Sequence, residues 1–245
     1  MTDAPRPGSA RRIWAAVPFR GPVGSKRRLA GLLDAAERER LSVAMLLDVL
    51  EVLLEHEWIE RVLLLRLSSD GVEVPQHQRL IVVEEPRDPD GSVVDGGLNG
   101  ALRHAQQVAE AGGAESLLIV PADVPLIDRP ALEAIRATGS LASVVIVPDR
   151  AEEGTNALML TPPAVLAPSF GEGSYTRHVR QANEAGLYTI VVEQSGLELD
   201  LDTPADIAEL LTRDHAGRAA TLLRELGVDH RLEQLAATQA RSTTI

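Results

Sequence analysis

The chain has no cysteine in its 245 residues, which excludes disulfides and thiolate metal sites. Aromatic residues make up only 2%, too few for the stacking platforms that hold single-stranded nucleic acid. No apolar run approaches the ~20 residues that a membrane span needs. The N-terminal residues Met1 to Ala10 lack the apolar centre of a signal peptide, so a cytoplasmic protein is expected. No G-x-G-x-x-G follows an apolar run and no G-x-x-x-x-G-K-[ST] is present, which weakens a dinucleotide dehydrogenase and excludes a Walker loop. The six histidines are scattered without metal-ligand spacing, and no serine-hydrolase elbow is present. They read as structural or surface residues.

The formal net charge of −12 argues against general binding to polyanions, but it is unevenly spread. Residues 1–28 hold seven basic side chains against Asp3 alone, a charge of +6, and the remainder carries −18. A small basic patch on an acidic body suits a small anionic ligand better than nucleic acid. Among the 24 basic residues Lys26 is the single lysine, a compact point charge where arginine is used everywhere else. Chance in an arginine-biased composition is the ordinary alternative.

Short apolar runs alternate with helical patterns. Strands are expected at 13–19, 61–67, 79–83, 117–120, 142–148, 157–160 and 188–193. Helices are expected from the capping-box-like Asp34-Ala-Ala-Glu37 to about 56, from the glycine-rich 95–100 to Gly112, and from about Pro130. Further helices are expected from a Ser174 cap to Ala185, from Thr203-Pro204, and over 214–238, with the last few residues fraying. Strands that are continuously apolar rather than alternating indicate a mixed, mostly parallel sheet covered by helices on both faces, an α/β single-domain Rossmann-like fold. The expected division is a flexible N-terminus at 1–12, a catalytic domain at 13–213 and a helical extension at 214–245. In such sheets ligands gather at the carboxyl ends of strands, which selects 20–29, 95–100, 121–125 and 149–156.

The loop Arg20-Gly-Pro-Val-Gly-Ser-Lys-Arg-Arg-Leu29 combines permissive backbone with Arg20, Lys26 and Arg28, a composition that suits phosphate oxygens or, more plainly, a solvated basic turn. The run Leu-Leu-Ile-Val (117–120) stops at Asp123, held between Pro121 and Pro125. A carboxylate so placed suits a divalent cation. The other reading is a helix N-cap, for which Asp128 is better placed. Asp200 and Asp202, two apart in an extended segment, face one way, and the repulsion between them is best relieved by a cation. Mg²⁺ takes a few carboxylates plus substrate phosphates, which Asp123, Asp200, Asp202 and a triphosphate would supply. Capping could explain Asp202 but leaves Asp200 without a role. Gly154-Thr155-Asn156 precedes a strand, and Ser169-Phe-Gly-Glu-Gly-Ser-Tyr-Thr-Arg-His178 reads alone as an ordinary glycine turn with a serine cap.

Taken in order, V-P-F-R-G-P-V-G-S-K-R-R-L, G-G-L-N-G-A-L, V-P-A-D-V-P-L, G-T-N-A-L-M-L, F-G-E-G-S-Y-T-R-H and L-D-L-D-T-P-A-D resemble the 2-phospho-L-lactate guanylyltransferases, also called phosphoenolpyruvate guanylyltransferases. The resemblance spans about residues 13–212. It implies the fold of nucleotide-diphospho-sugar transferases, similar to molybdopterin guanylyltransferase, and a place in coenzyme F-420 biosynthesis. It further implies that Thr155, Gly171 and Ser174 hold the phosphorylated three-carbon acid. Asp123, Asp200 and Asp202 become the Mg²⁺ ligands, with Lys26, Arg28 and Asp123 carrying catalysis. Arg20, Lys26 and Arg28 would meet the triphosphate of GTP, and Gly97, Leu98 and Asn99 would lie by the nucleotide. Arg20 departs from the family, which commonly has lysine there, and it is followed by an unusual Gly21-Pro22. The implied partners are GTP and a phosphorylated small acid, with no nucleic acid and no membrane. Nothing in these motifs sets an oligomeric state or explains the C-terminal helices. The rival readings are a nucleotidyltransferase with another acceptor (3-phosphoglycerate, a sugar phosphate or molybdopterin) and a non-catalytic nucleotide-binding regulator.

Overall fold

A computed structural model describes residues 11–23, 26–67, 72–84 and 97–242. Most of the expected N-terminal arm, the last three residues, where fraying is expected, and residues 95 and 96 of the expected glycine-rich turn lie outside that set. Among the described residues seven strands form one sheet: β1 (Ile13–Phe19), β2 (Ile59–Arg66), β3 (Leu80–Glu84), β4 (Ser116–Ile119), β5 (Val144–Pro148), β6 (Thr155–Leu160) and β7 (Thr189–Val191). Their order is β3-β2-β1-β4-β6-β5-β7, and every neighbouring pair is parallel except those made by β6, which runs against β4 and β5.

The continuous apolar strands follow from burial on both faces. Along β1, Ile13, Ala15, Val17 and Phe19 enter one core cluster, while Trp14 and Ala16 enter the other. The first cluster is covered by α1 (Ala35–Glu55), through Leu46, Val49, Leu50 and Leu53, and by α3 (Arg129–Gly139), through Leu132 and Ile135. The second is covered by α2 (Leu98–Ala111), through Ala101, Leu102 and Ala105, and by α4 (Ser174–Glu184), through Ala182. The expected mixed, mostly parallel α/β architecture is therefore present. The expected capping box at Asp34 is formed in full, with Glu37 returning the bond to the Asp34 N–H at 3.0 Å.

Beyond the sheet, α5 (Pro204–Thr212), α6 (Arg218–Glu225) and α7 (Val228–Ser242) build a third cluster against the other side of α1, where Leu41 and Met45 meet Ile207, Leu210 and Leu223. The helical stretch expected over 214–238 is two helices, because Gly227 takes a left-handed φ of 65° and ends the first of them. Asp48 is 5% exposed in the middle of α1, and its carboxylate accepts the N–H groups of Arg218 at 2.7 Å and Ala219 at 2.9 Å. A side chain of one helix thus caps the N-terminus of another. Asp48→Ala strands two donors and is expected to cost about 1–2 kcal/mol, seen as a melting temperature lower by roughly 4 °C. Asp48→Asn keeps one of the two acceptor oxygens and turns an NH₂ toward the other N–H, so it is expected to recover only part of that loss. Among the described residues no helix is long and apolar enough to cross a membrane.

Candidate active site

Because β1 and β4 are parallel neighbours and β6 runs against β4, the carboxyl ends of the first two and the start of the third share one edge. Asp123 follows β4 there. Its backbone carbonyl accepts the N–H of Leu201 at 3.1 Å, which fastens the segment 199–202 alongside. Leu201 is fully buried in the third cluster, so its extended neighbours Asp200 and Asp202 turn toward the strand ends. Neither Asp123 nor Asp202 is a helix cap. Asp128 caps α3, and Thr203 caps α5 in a reciprocal pair with Asp206.

The loop after β1 brings its cation to these acids. Lys26 adopts a left-handed backbone (φ 50°) just before a 3-10 turn, Arg27–Leu29, and its Nζ donates to Asp123 Oδ2 at 2.8 Å and to Asp202 Oδ1 at 2.7 Å. Burial alone would lower the ammonium pKa, but the charges of Asp123 and Asp202, with both hydrogen bonds, outweigh it and hold it above its ordinary value. Asp200 has the opposite fate. Burial, then the charges of Asp123 and Asp202, push its pKa up to about 6. Arg28 is largely exposed, with Nη1 3.8 Å from Asp202 Oδ2. Arg20 is exposed, makes no ion pair with any described residue, and lines a cavity of about 360 Å³ with Lys26, Asp123, Asp202, Leu98 and Phe170.

Gly97 opens α2 with φ 85°, a conformation that favours glycine. Asn99, expected beside the nucleotide, spends its amide elsewhere: Nδ2 donates to Phe170 O at 3.0 Å and Oδ1 accepts Phe170 N–H at 2.7 Å. It thereby ties α2 to the loop 169–173 and sets the Phe170 ring at the cavity wall. Thr155 begins β6, preceded by a turn that Asp149 closes by accepting Glu153 N–H at 2.9 Å and Gly154 N–H at 2.7 Å. Ser174 is not the expected helix cap. Gly173, left-handed at φ 66°, takes that place without a side-chain bond, and the Ser174 hydroxyl, now inside the first turn, donates to Thr155 Oγ1 at 3.3 Å. Gly171 is exposed with φ 117°. Arg177 anchors this turn by donating to the carbonyls of Ser169, at 2.9 Å, and of Glu172. All the expected site residues therefore lie around one edge, in two groups: the carboxylates with Lys26 and Arg28, and the hydroxyls with the glycine turn.

Over residues 13–243 the chain matches the sequence profile of the family described as "Guanylyl transferase CofC like". The chain belongs to this family. It is accordingly a nucleotidyltransferase. Among relatives of this guanylyl transferase family, a phosphoenolpyruvate guanylyltransferase of Conexibacter woesei is 36% identical over 213 residues, covering 85% of this chain and 92% of its own. A 2-phospho-L-lactate guanylyltransferase of Methanothermobacter thermautotrophicus is 34% identical, covering 88% and 91%. A solved structure from Desulfovibrio desulfuricans, described as a "putative nucleotide-diphospho-sugar transferase", superposes with a TM-score of 0.71 over 92% of this chain and 98% of its own; at 18% identity that likeness concerns the fold. The family match takes in α6 and all of α7.

Sequence reasoning passed over His178. It is fully buried, with Nδ1 3.0 Å from Thr155 Oγ1 and Nε2 accepting the Ser169 N–H at 3.0 Å. Burial, then the charge of Arg177, lowers its pKa to about 4. Its spacing four residues after Ser174, on the same face of α4, was the available signal.

A divalent cation is implied by the family, and its fit rests on the donors present. Among the described residues no three acidic or histidine side chains are close enough to hold a metal ion by themselves. Lys26 Nζ occupies the space between Asp123 and Asp202. The donors are nevertheless hard oxygens and outnumber the buried cation, as the raised pKa of Asp200 records. Mg²⁺ is commonly held by one or two carboxylates plus substrate phosphates, so a cage complete without nucleotide is not required.

Proposed function

We propose that the protein transfers GMP from GTP to a phosphorylated three-carbon acid, phosphoenolpyruvate or 2-phospho-L-lactate, with release of pyrophosphate, in the cytoplasmic assembly of coenzyme F-420. The observation that carries this reading is the junction of Lys26, Asp123 and Asp202 at the strand ends, beside a cavity of about 360 Å³. A phosphate oxygen of the acid attacks the α-phosphorus of GTP, the new P–O bond forms, and the bond to the bridging oxygen breaks as pyrophosphate leaves. The attacking oxygen is already ionised at neutral pH, so no strong general base is needed. The task is positioning and charge neutralisation.

Lys26 and Arg28 neutralise the triphosphate, with Arg20 at the cavity mouth. The exposed Gly97 and the cavity residue Leu98 lie by the nucleoside, and Asn99 acts there through Phe170. Thr155, Ser174 and the backbone of Gly171 hold the acid. Asp123, Asp200 and Asp202 would hold Mg²⁺ together with phosphate oxygens. Bound there, the ion would neutralise charge developing on those oxygens. Pyrophosphate release measured with GTP or ATP against phosphoenolpyruvate, 2-phospho-L-lactate, 3-phosphoglycerate and a sugar phosphate tests the reading. Turnover is expected with GTP and one of the first two acids. A preference for 3-phosphoglycerate or the sugar phosphate would replace the acceptor, and GTP binding without transfer to any of them would leave a regulator.

A further inference from the structure

We propose that His178 is a positioning residue that fixes the direction in which the Thr155 hydroxyl donates, so that Thr155 presents its proton to an anionic oxygen of the acid. The inference rests on the reading that Thr155 and Ser174 hold that acid. A peptide N–H can only donate. The Ser169 N–H, 3.0 Å from His178 Nε2, therefore requires a lone pair on that nitrogen. The imidazole is buried, edge-on to Phe170 at 5.0 Å, and among the described residues the charge acting on it is the Arg177 cation, so with Nε2 accepting the ring is neutral and its single proton sits on Nδ1.

Nδ1 lies 3.0 Å from Thr155 Oγ1, which must then accept. The Ser174 hydroxyl donates to the same oxygen at 3.3 Å. A threonine hydroxyl has two acceptor positions and one proton. With both positions taken, that proton points away from His178 and Ser174, and no acceptor for it is present among the described residues. Thr155 is 4% exposed, so a ligand oxygen facing it must be an acceptor, as ionised phosphate and carboxylate oxygens are. A neutral His178 of the other tautomer would take the proton itself and leave the ligand without a donor.

The test separates the ring's two bonds. In His178→Gln the amide oxygen replaces Nε2 as acceptor for Ser169 and the Nδ1 donor is lost. In His178→Asn the side-chain NH₂ replaces Nδ1. Thr155→Val and His178→Gln are each expected to raise KM for phosphoenolpyruvate about tenfold, the loss of one oriented hydrogen bond, with KM for GTP within about twofold of wild type. The double variant should be no worse than Thr155→Val alone, and His178→Asn should recover most of the affinity. Nitrogen-15 NMR of the labelled wild-type protein should find His178 protonated on Nδ1 and bare on Nε2, a result independent of any variant's folding. The reverse tautomer, additive effects in the double variant, or a parallel rise in KM for GTP overturns the role of His178. An unchanged KM for the acid in His178→Gln does the same, provided Thr155→Val raises it. An unchanged KM in Thr155→Val instead overturns the reading of Thr155 as an acid contact.

Discussion

Asp123→Asn is expected to lower kcat by about 10²- to 10³-fold while the melting temperature stays within a few degrees of wild type. The substitution removes a charge and almost no volume. The Asp123 backbone carbonyl, which accepts from Leu201 and so holds the second acidic segment in place, is untouched. Lys26 keeps its 2.7 Å bond to Asp202, so the buried ammonium is not abandoned. Two stability effects oppose each other: one Lys26 pair is lost, and Asp200 is relieved of the carboxylate that repels it most. Catalysis has no such offset, because a reaction driven by charge neutralisation depends on the preorganised charges at the edge proposed to bind the phosphates. Initial rates of pyrophosphate release, with thermal unfolding on the same preparation, check both halves. Wild-type turnover in the variant would remove Asp123 from the proposed centre.

How much of this was legible in the sequence depends on how far each relationship reaches along the chain. The strands announce themselves as apolar runs because both faces of the sheet are buried, as the alternation of β1 between two clusters makes plain. The start of α1 is written locally, in Asp34 and Glu37 three residues apart. The lone lysine and the two acidic segments were identifiable from composition and spacing, and they do meet at one point. What sequence cannot give is direction and distant pairing. That β6 runs against its neighbours is set by a tight return from β5, and its register appears only once the strands pair. Asn99 looks like a nucleotide contact until Phe170, 71 positions away, takes both ends of its amide. Ser174 looks like a cap until Gly173 adopts a left-handed backbone and Thr155 comes within reach of its hydroxyl.

Asp200→Asn is expected to make the free protein more stable and the enzyme inactive. The sign follows from linkage. Asp200 titrates at about 6 in the folded chain, against about 3.9 for an unperturbed aspartate. Between those values the folded state holds a proton that the unfolded state has released, so stability falls as pH rises from about 4 to about 6. Above that window the ionised group destabilises the fold by on the order of 2–3 kcal/mol, and below it the penalty vanishes. Asparagine cannot ionise. In chelator and without nucleotide, the variant should melt roughly 5–8 °C above wild type at pH 8 and nearly with it at pH 4. Equal melting at pH 8, or a less stable variant, would refute the buried repulsion. Saturating Mg²⁺ and GTP should reverse the ranking, because a cation bound among the three carboxylates removes the repulsion in the wild type and finds one charge fewer in the variant. On the proposed reading, the repulsion that destabilises the free protein above this pH window is the same interaction that, with nucleotide bound, would draw a cation to the strand ends.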